Sequence, residues 1–279
     1  MKIAVTAVTG QLGRAVAQAL VTRTSRARVV GLARSPRKVD GLDIEQRPGD
    51  YASRTQLQDA LGDVDTLLLV SGNAPPDERA SQHRNVIEAA QAKGVRRIVY
   101  TSVQGIDEGP AASAVVLSNR RTEADMQASG LEWVIGRNGI YIEPDVEAVN
   151  AYREAGEVAN SAGEGRCGYT TRSELAAAYA DMALEAHHVG QTYRLHGAPM
   201  TQAELVDHLN RSFGLELVYR PMSVQAYRED RAAALGEFMG PIISGIYEAI
   251  RAGAFDHPSD FERAAGRPHQ SWMDYFAGT

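Results

Sequence analysis

Residues 3–13 read I-A-V-T-A-V-T-G-Q-L-G, and the organisation of the chain follows from them. Ile3 to Val5 are β-branched or small and suit a buried parallel strand, whereas Leu12, Val16 and Leu20 recur at helical spacing, so a strand gives way to a helix near Gly10. A helix starting there points its unpaired N–H groups and the positive end of its dipole out of the sheet, which favours a phosphate, and glycines let the backbone approach it. Gly10 and Gly13 occupy the second and third glycine positions of a dinucleotide turn, but Ala7 stands at the first. An ordinary βα turn is the competing reading of a glycine turn alone.

Alternating elements extend this beginning through the first half of the chain. Residues 29–33, 44–47, 64–71, 95–102 and 132–136 read as strands, separated by helical periodicity at 54–61, 78–92 and 120–129, which predicts a parallel sheet with right-handed crossovers. Gly94 and Gly130 follow two of those helices, where a left-handed residue is expected. Beyond residue 142 the pattern loosens. Capping boxes are expected at Thr171 with Glu174 and Thr201 with Glu204, a strand at 191–196, and Gly/Pro breaks at 161–168 and 236–241. The expected architecture is a Rossmann-type doubly wound α/β fold, residues 1–141 forming the nucleotide-binding domain and 142–279 completing the sheet and supplying a smaller substrate lobe.

Composition fits a chain of this kind. Its 279 residues are 44% hydrophobic and 23% charged, enough to bury a large core. Cys167 is the only cysteine, so no disulfide framework or thiolate metal cluster is expected. No apolar run has the length of a membrane span, and the N-terminus leads straight into a strand, so the expected location is the cytoplasm. A net charge of -6 argues against nucleic acid as the main partner, and a homodimer is the default expectation for assembly.

The second strand tests the nucleotide reading. An NAD site places an acid there to hold the ribose hydroxyls, and an NADP site places an arginine. The segment after residue 31 reads L-A-R-S-P-R-K, with no acid before Asp40. Arg34 suits a 2′-phosphate, with Arg37 or Lys38 as a second cation, and NADPH is favoured over NADH. Ligands in an open sheet bind beyond the strand ends, which brings Asp50 and Tyr51, Ser71 and Gly72, and Thr101 and Ser102 to one crevice. Asp50 is a candidate acceptor for the adenine amine, with a turn residue after Pro48-Gly49 as its alternative. Residues 137–141, R-N-G-I-Y, fall beside the nicotinamide half. His83 reads as a packed or surface helix residue in preference to a catalytic one.

Several stretches carry a family resemblance: T-x-x-T-G-Q-L-G at 6–13, L-A-R-S-P at 32–36, G-D-Y at 49–51, L-L-L-V-S-G at 67–72, Q-H-R-N-V-I-E-A-A at 82–90, Y-T-S at 100–102, R-N-G-I-Y at 137–141, T-R-S-E-L-A at 171–176, I-Y-E-A-I-R-A-G at 246–253 and S-D-F-E-R-A-A-G-R-P at 259–268. Together they resemble the NmrA-like, atypical short-chain dehydrogenase/reductase proteins, most strongly the branch of bacterial NAD(P)H:quinone oxidoreductase type 2 and triphenylmethane reductase. The resemblance implies that the turn with Thr6, Thr9, Gly10, Gln11 and Leu12, together with Arg34, Arg137, Asn138 and Gly139, binds NADPH. It implies that Tyr141 and the later lobe border a flat aromatic substrate. Two departures stand out: Ala7 replaces the family's first glycine, and the branch's T-E-K or T-E-Y segment reads Thr122-Glu123-Ala124.

A lysine count narrows the chemistry. Reduction of an ordinary ketone by short-chain dehydrogenases uses a Tyr-x-x-x-Lys pair to protonate the developing alkoxide. This chain has only Lys2, Lys38 and Lys93, and none lies four residues after a tyrosine. A hydroquinone oxygen is phenolic, with a pKa of about 10, and its anion can collect a proton from water. The expectation is therefore an NADPH-dependent oxidoreductase acting on a quinone-like or other conjugated aromatic acceptor, with Ser102, Asn138 and Tyr141 as polar contacts to the acceptor or the carboxamide. The alternatives are a non-enzymatic NADP-binding redox sensor of the NmrA type and a biosynthetic reductase of a specific unsaturated intermediate.

Overall fold

A computed structural model describes residues 1–36, 41–108 and 113–279. The first half runs β1 (Ile3–Val5), α1 (Gln11–Arg23), β2 (Val29–Ala33), β3 (Glu45–Pro48), α2 (Arg54–Ala60), β4 (Thr66–Val70), α3 (Pro76–Ala92), β5 (Arg97–Val103), α4 (Ala114–Ala128) and β6 (Glu132–Asn138). The second half follows as β7 (Ile140–Tyr141), α5 (Glu143–Glu147), α6 (Val149–Ala155), β8 (Glu157–Asn160), β9 (Tyr169–Thr170), α7 (Arg172–Leu184), β10 (Gln191–Leu195), α8 (Gln202–Phe213), β11 (Val218–Pro221), α9 (Val224–Arg251), α10 (Phe261–Ala265) and α11 (Trp272–Ala277).

Seven strands form one parallel sheet in the order β10-β6-β5-β4-β1-β2-β3, a Rossmann-type doubly wound arrangement. The chain order reverses between β1 and β4, the place where open α/β sheets form a crevice beyond their strand ends. Every residue of β1, β2 and β4 is buried, which is why these strands read as apolar runs. One face of the sheet packs a cluster containing Val16 and Leu20 of α1 and Leu175 and Tyr179 of α7. The other packs Leu57 of α2 and Val86 and Ile87 of α3. The edge strand β3, E-Q-R-P, is polar and partly exposed. A third core, including Ile142, Leu205, Ile250 and Trp272, fills the lobe and is framed by two short parallel pairs, β7 with β9 and β8 with β11.

Three local details differ from the sequence expectations. Helix α4 starts at Ala114, not near 120, because Ser113 caps it by accepting from the Val116 N–H, and the V-V-L of its first turns hides the start. Thr171 caps α7, but Glu174 does not complete the box: its carboxylate pairs with Arg267 and accepts from the Gln270 N–H. Thr201 and Glu204 do form the reciprocal box on α8. The break expected at 236–241 is a kink: α9 runs past it, leaving helical geometry only at Gly236, at φ 75°. Among the described residues no helix is long and apolar enough to cross a membrane.

Candidate active site

At the end of β1 the chain turns over Ala7 and enters α1 at Gly10. Gly10 brings no side-chain cap, and the first turn of α1 carries no acid. The N–H groups of Gln11, Leu12 and Gly13 therefore precede the first intrahelical bond, which Arg14 N makes to the Gly10 carbonyl at 3.0 Å. Gly13 is required by the fold: a Cβ there would lie 2.4 Å from the Ala7 carbonyl oxygen. Gly10 is different, since its φ of -84° suits any residue and its built Cβ would meet only the Ala7 carbonyl, at 3.2 Å. A thirteen-residue helix with free amide donors and no side chain at its cap fits a pyrophosphate.

These residues line a cavity of about 770 Å³ that runs from the turn into the lobe. Of the residues expected to form the site, Gly10, Gln11, Leu12, Ser71, Gly72, Thr101, Ser102, Asn138, Gly139 and Tyr141 border it, whereas Thr6, Thr9, Arg34, Asp50, Tyr51 and Arg137 do not. Thr6 and Tyr51 lie beneath the crevice: Thr6 Oγ1 accepts from the Val70 N–H at 2.9 Å, and the Tyr51 hydroxyl sits between Thr6 Oγ1 and the Val70 carbonyl. They tie the ends of β1 and β4 together at the switch point. Thr9 is exposed, and Asp50 closes its own turn by accepting from the Ala52 N–H at 3.0 Å. Arg34 is exposed at the end of β2, while Arg37, Lys38 and Asp40 lie outside the described residues.

Arg137 turns into a buried ion cluster. Glu123 receives Arg137 Nη2 at 2.6 Å and Arg120 Nη1 at 2.8 Å, and the Ser102 hydroxyl donates to the same carboxylate. Ser102 thus borders the cavity with its hydroxyl already engaged. Asn138 receives the Tyr179 hydroxyl on Oδ1 at 2.6 Å, which orients its amide toward the Tyr141 hydroxyl, 3.4 Å away. Burial pushes the Tyr141 phenol above its ordinary value, and the Arg172 guanidinium lies 5.3 Å from its ring centroid.

His83 and two side chains that the sequence reading did not single out, Asn119 and Arg79, hold this end together. His83 is fully buried, and its Nε2 accepts from the Gly72 N–H at 2.9 Å, so the neutral ring carries its proton on Nδ1, 3.0 Å from Thr122 Oγ1. Burial holds its pKa down at about 3. The packed reading of His83 matches this placement, and the residue fixes the turn after β4. Asn119 borders the cavity and takes the Tyr100 hydroxyl on Oδ1. Arg79, 8% exposed, borders it too, with no carboxylate partner among the described residues, one long bond of 3.4 Å to Ser118 and no partner for Nε. It places a fixed positive charge beside the strand ends.

The far end is apolar and aromatic. Leu235, Met239, Ile243 and Ile246 form a stripe along α9, and Tyr152, Tyr169, Tyr227 and Tyr247 border the same space with Asp145. Helical spacing of the α9 residues is the one signal that could have found this wall. The adjacent flank of α9, with Phe238, Ile242 and Ala249, borders an adjoining cavity of about 400 Å³, and Ile246 lines both.

A nucleotide cradle at the switch point of a doubly wound parallel sheet, opening into an aromatic lobe, defines a dinucleotide-binding protein. Residues 8–186 match the model of the NAD(P)H-binding family, and the chain belongs to that family, within its NmrA-like group of oxidoreductases. It is 34% identical to quinone oxidoreductase 2 of Escherichia coli over 276 residues, covering 95% of this chain and 94% of that protein. The structure of the NADPH-dependent quinone oxidoreductase of Escherichia coli complexed with NADPH superposes with a TM-score of 0.91, 29% identity and 99% coverage of both chains. The triphenylmethane reductase of Citrobacter sp. complexed with NADP(H) does so with a TM-score of 0.90, 29% identity and 99% coverage of both chains.

Proposed function

We propose that this protein is an NADPH-dependent reductase of quinone-like or other conjugated aromatic acceptors. The observation that carries the reading is the single cavity of about 770 Å³ joining the α1 N-terminus to the tyrosine-lined lobe, which has room for a nicotinamide and a flat ring in contact. When bound, NADPH supplies the hydride; the chain supplies binding, orientation and exclusion of water. Gln11, Leu12 and Gly13 hold the pyrophosphate through their N–H groups. Arg34 binds the 2′-phosphate and sets the preference over NADH. Asn138 and Tyr141 orient the carboxamide and the acceptor, with Ser102 anchored to Glu123 beside them. Residues 142–279 serve as the lobe that closes over the acceptor.

The scarcity of lysine supports the choice of acceptor. Lys2, Lys38 and Lys93 are the only lysines, so the Tyr-x-x-x-Lys relay that an ordinary ketone needs is absent. Developing negative charge on a phenolic oxygen is weakly basic by comparison, and the fixed charge of Arg79 favours it. The test is oxidation of NADPH, followed by loss of nicotinamide absorbance, with a panel of substituted quinones. Turnover is expected with several. Tight NADP binding without turnover of any acceptor would replace the reductase with a redox sensor.

A further inference from the structure

One acid in the cavity has no part in the scheme above. Asp145 stands in the first turn of α5, four residues beyond Tyr141, 6% exposed and bordering the cavity. Among the described residues its carboxyl has one side-chain partner, the Tyr152 hydroxyl, which donates to Oδ1 at 2.9 Å. Cys167 and Tyr169 face it from β9 and the loop before it, and Tyr227 and Tyr247 face it from α9. Burial pushes all four upward, so each is neutral near pH 7. Two cations border this part of the cavity and both are engaged elsewhere: Arg231 pairs with Asp230 and stacks 5.4 Å from the Tyr227 ring centroid, and Arg172 pairs with Glu143 and Glu147 of α5. A carboxylate here lacks a compensating charge, a setting that favours the protonated acid.

Building on the reductase reading, we propose that Asp145 is the proton donor of the cavity, protonating the oxygen of the reduced acceptor in place of the missing Tyr-x-x-x-Lys pair. The O–H bond of the carboxyl breaks and an O–H bond forms on the acceptor. The two electrons arrive with the hydride of the reduced nicotinamide, which is left oxidised. The remaining carboxylate keeps its bond from Tyr152 and regains a proton from water after the product leaves. Burial pushes Asp145 up to about 6, close to a neutral working pH, where a general acid is most effective. Tyr141 is a poorer donor, because a phenol raised above its ordinary value is no more acidic than the hydroquinone it would protonate.

The test compares wild type with D145N and D145E on a methyl-substituted and a chloro-substituted 1,4-quinone across pH, with NADPH binding measured in parallel. D145N keeps an acceptor for Tyr152 but holds no acid. Its kcat/KM for the methyl-quinone, whose product oxygen is the more basic, is expected to fall roughly 100-fold, and for the chloro-quinone less. Wild-type kcat/KM is expected to decline as pH rises through about 6, while D145N is flat, NADPH affinity is unchanged and D145E restores the decline. Carboxyl carbon NMR of the NADP-loaded protein should place the Asp145 titration near the same value. An ordinary carboxylate titration, an equal loss for both quinones, or an unaltered profile in D145N overturns the donor role alone. A wild type that turns over no quinone overturns the reductase reading, and the donor role falls with it.

Discussion

At the β1–α1 turn the cavity is bordered by small residues and the uncapped amides that open α1, while in the lobe it is bordered by tyrosines and large aliphatic side chains. The turn offers amide donors at Gln11, Leu12 and Gly13, and the hydroxyls of Thr6 and Tyr51 beneath it are spent on holding strands together. The lobe offers tyrosines, a buried acid and an apolar helix stripe gathered from α5, α6, β9 and α9. A wall of backbone recognises what every dinucleotide shares, its phosphates. A wall of side chains can be recut for one acceptor without disturbing the sheet. The difference predicts that changes at the turn act on fold and cofactor, and changes in the lobe act on substrate and proton transfer.

Two neighbouring glycines give the sharpest break. A Cβ at Gly13 would lie 2.4 Å from the Ala7 carbonyl, so Gly13→Val is expected to cost about 3 kcal/mol or more and lower the melting temperature by many degrees. Gly10→Val needs only a small shift of the Ala7 carbonyl, 3.2 Å from the added Cβ, and adds a branched side chain at the phosphate cradle. Its melting temperature should stay near wild type while NADPH affinity falls roughly 100-fold, equivalent to about 2.7 kcal/mol. Retained affinity would mean that the turn shapes the fold and nothing more.

The two regions should also respond to pH in opposite senses. His83 has its pKa depressed to about 3, so the unfolded chain binds its proton first, and stability is lost as pH falls below about 6.5. Asp145 is raised to about 6, so the folded chain binds its proton first, and stability is lost as pH rises from about 4 through 6. Each contributes at most roughly 1.4 kcal/mol per pH unit within its window. Urea unfolding across pH should show H83Q removing the acid-side loss and D145N removing the loss on the way up. A slope unchanged in both variants would show that neither burial governs stability.

Much of the turn was legible in the sequence because its reasons are local. The strand-to-helix switch, the glycine spacing and the absent acid after β2 lie within residues 3–38. The buried strands were legible too, since two covered faces demand apolar runs. The lobe hides for the opposite reason. Asp145 follows Pro144 and reads as an ordinary first-turn acid, and only packing against Tyr152 and α9 makes it unusual. The stripe of Leu235, Met239, Ile243 and Ile246 straddles Gly236 and Pro241, which look like breaks. Arg79 looks like a surface helix arginine until α4 covers it.

On the proposed reading Arg34, exposed at the end of β2, is the side chain that adds cofactor selectivity to the backbone turn. Arg34→Ala should weaken NADPH about tenfold, or ~1.4 kcal/mol, and leave NADH within about twofold. Equal losses for both cofactors, measured by fluorescence titration, would deny Arg34 the 2′-phosphate.

The smallest effect is expected where the turn departs from its own rule. Ala7 is the only described non-glycine residue at positive φ, at 49°, and its carbonyl accepts from the Gly10 N–H at 2.8 Å. A left-handed alanine costs roughly 1–2 kcal/mol relative to its normal conformations, a strain that glycine escapes. Glycine also frees the unfolded chain by about 0.4–1 kcal/mol, which offsets much of the relief. Ala7→Gly should therefore stabilise the protein by only about 0.5 kcal/mol, about a degree or two in melting temperature for a chain of this size. If the methyl group merely strains the turn, NADPH affinity will change less than about threefold, since a tenfold gain needs ~1.4 kcal/mol. Because Ala7 borders the cavity, a gain of tenfold or more would have another cause: the methyl itself would stand in the cofactor's path, and the turn would be a side-chain site at that one point.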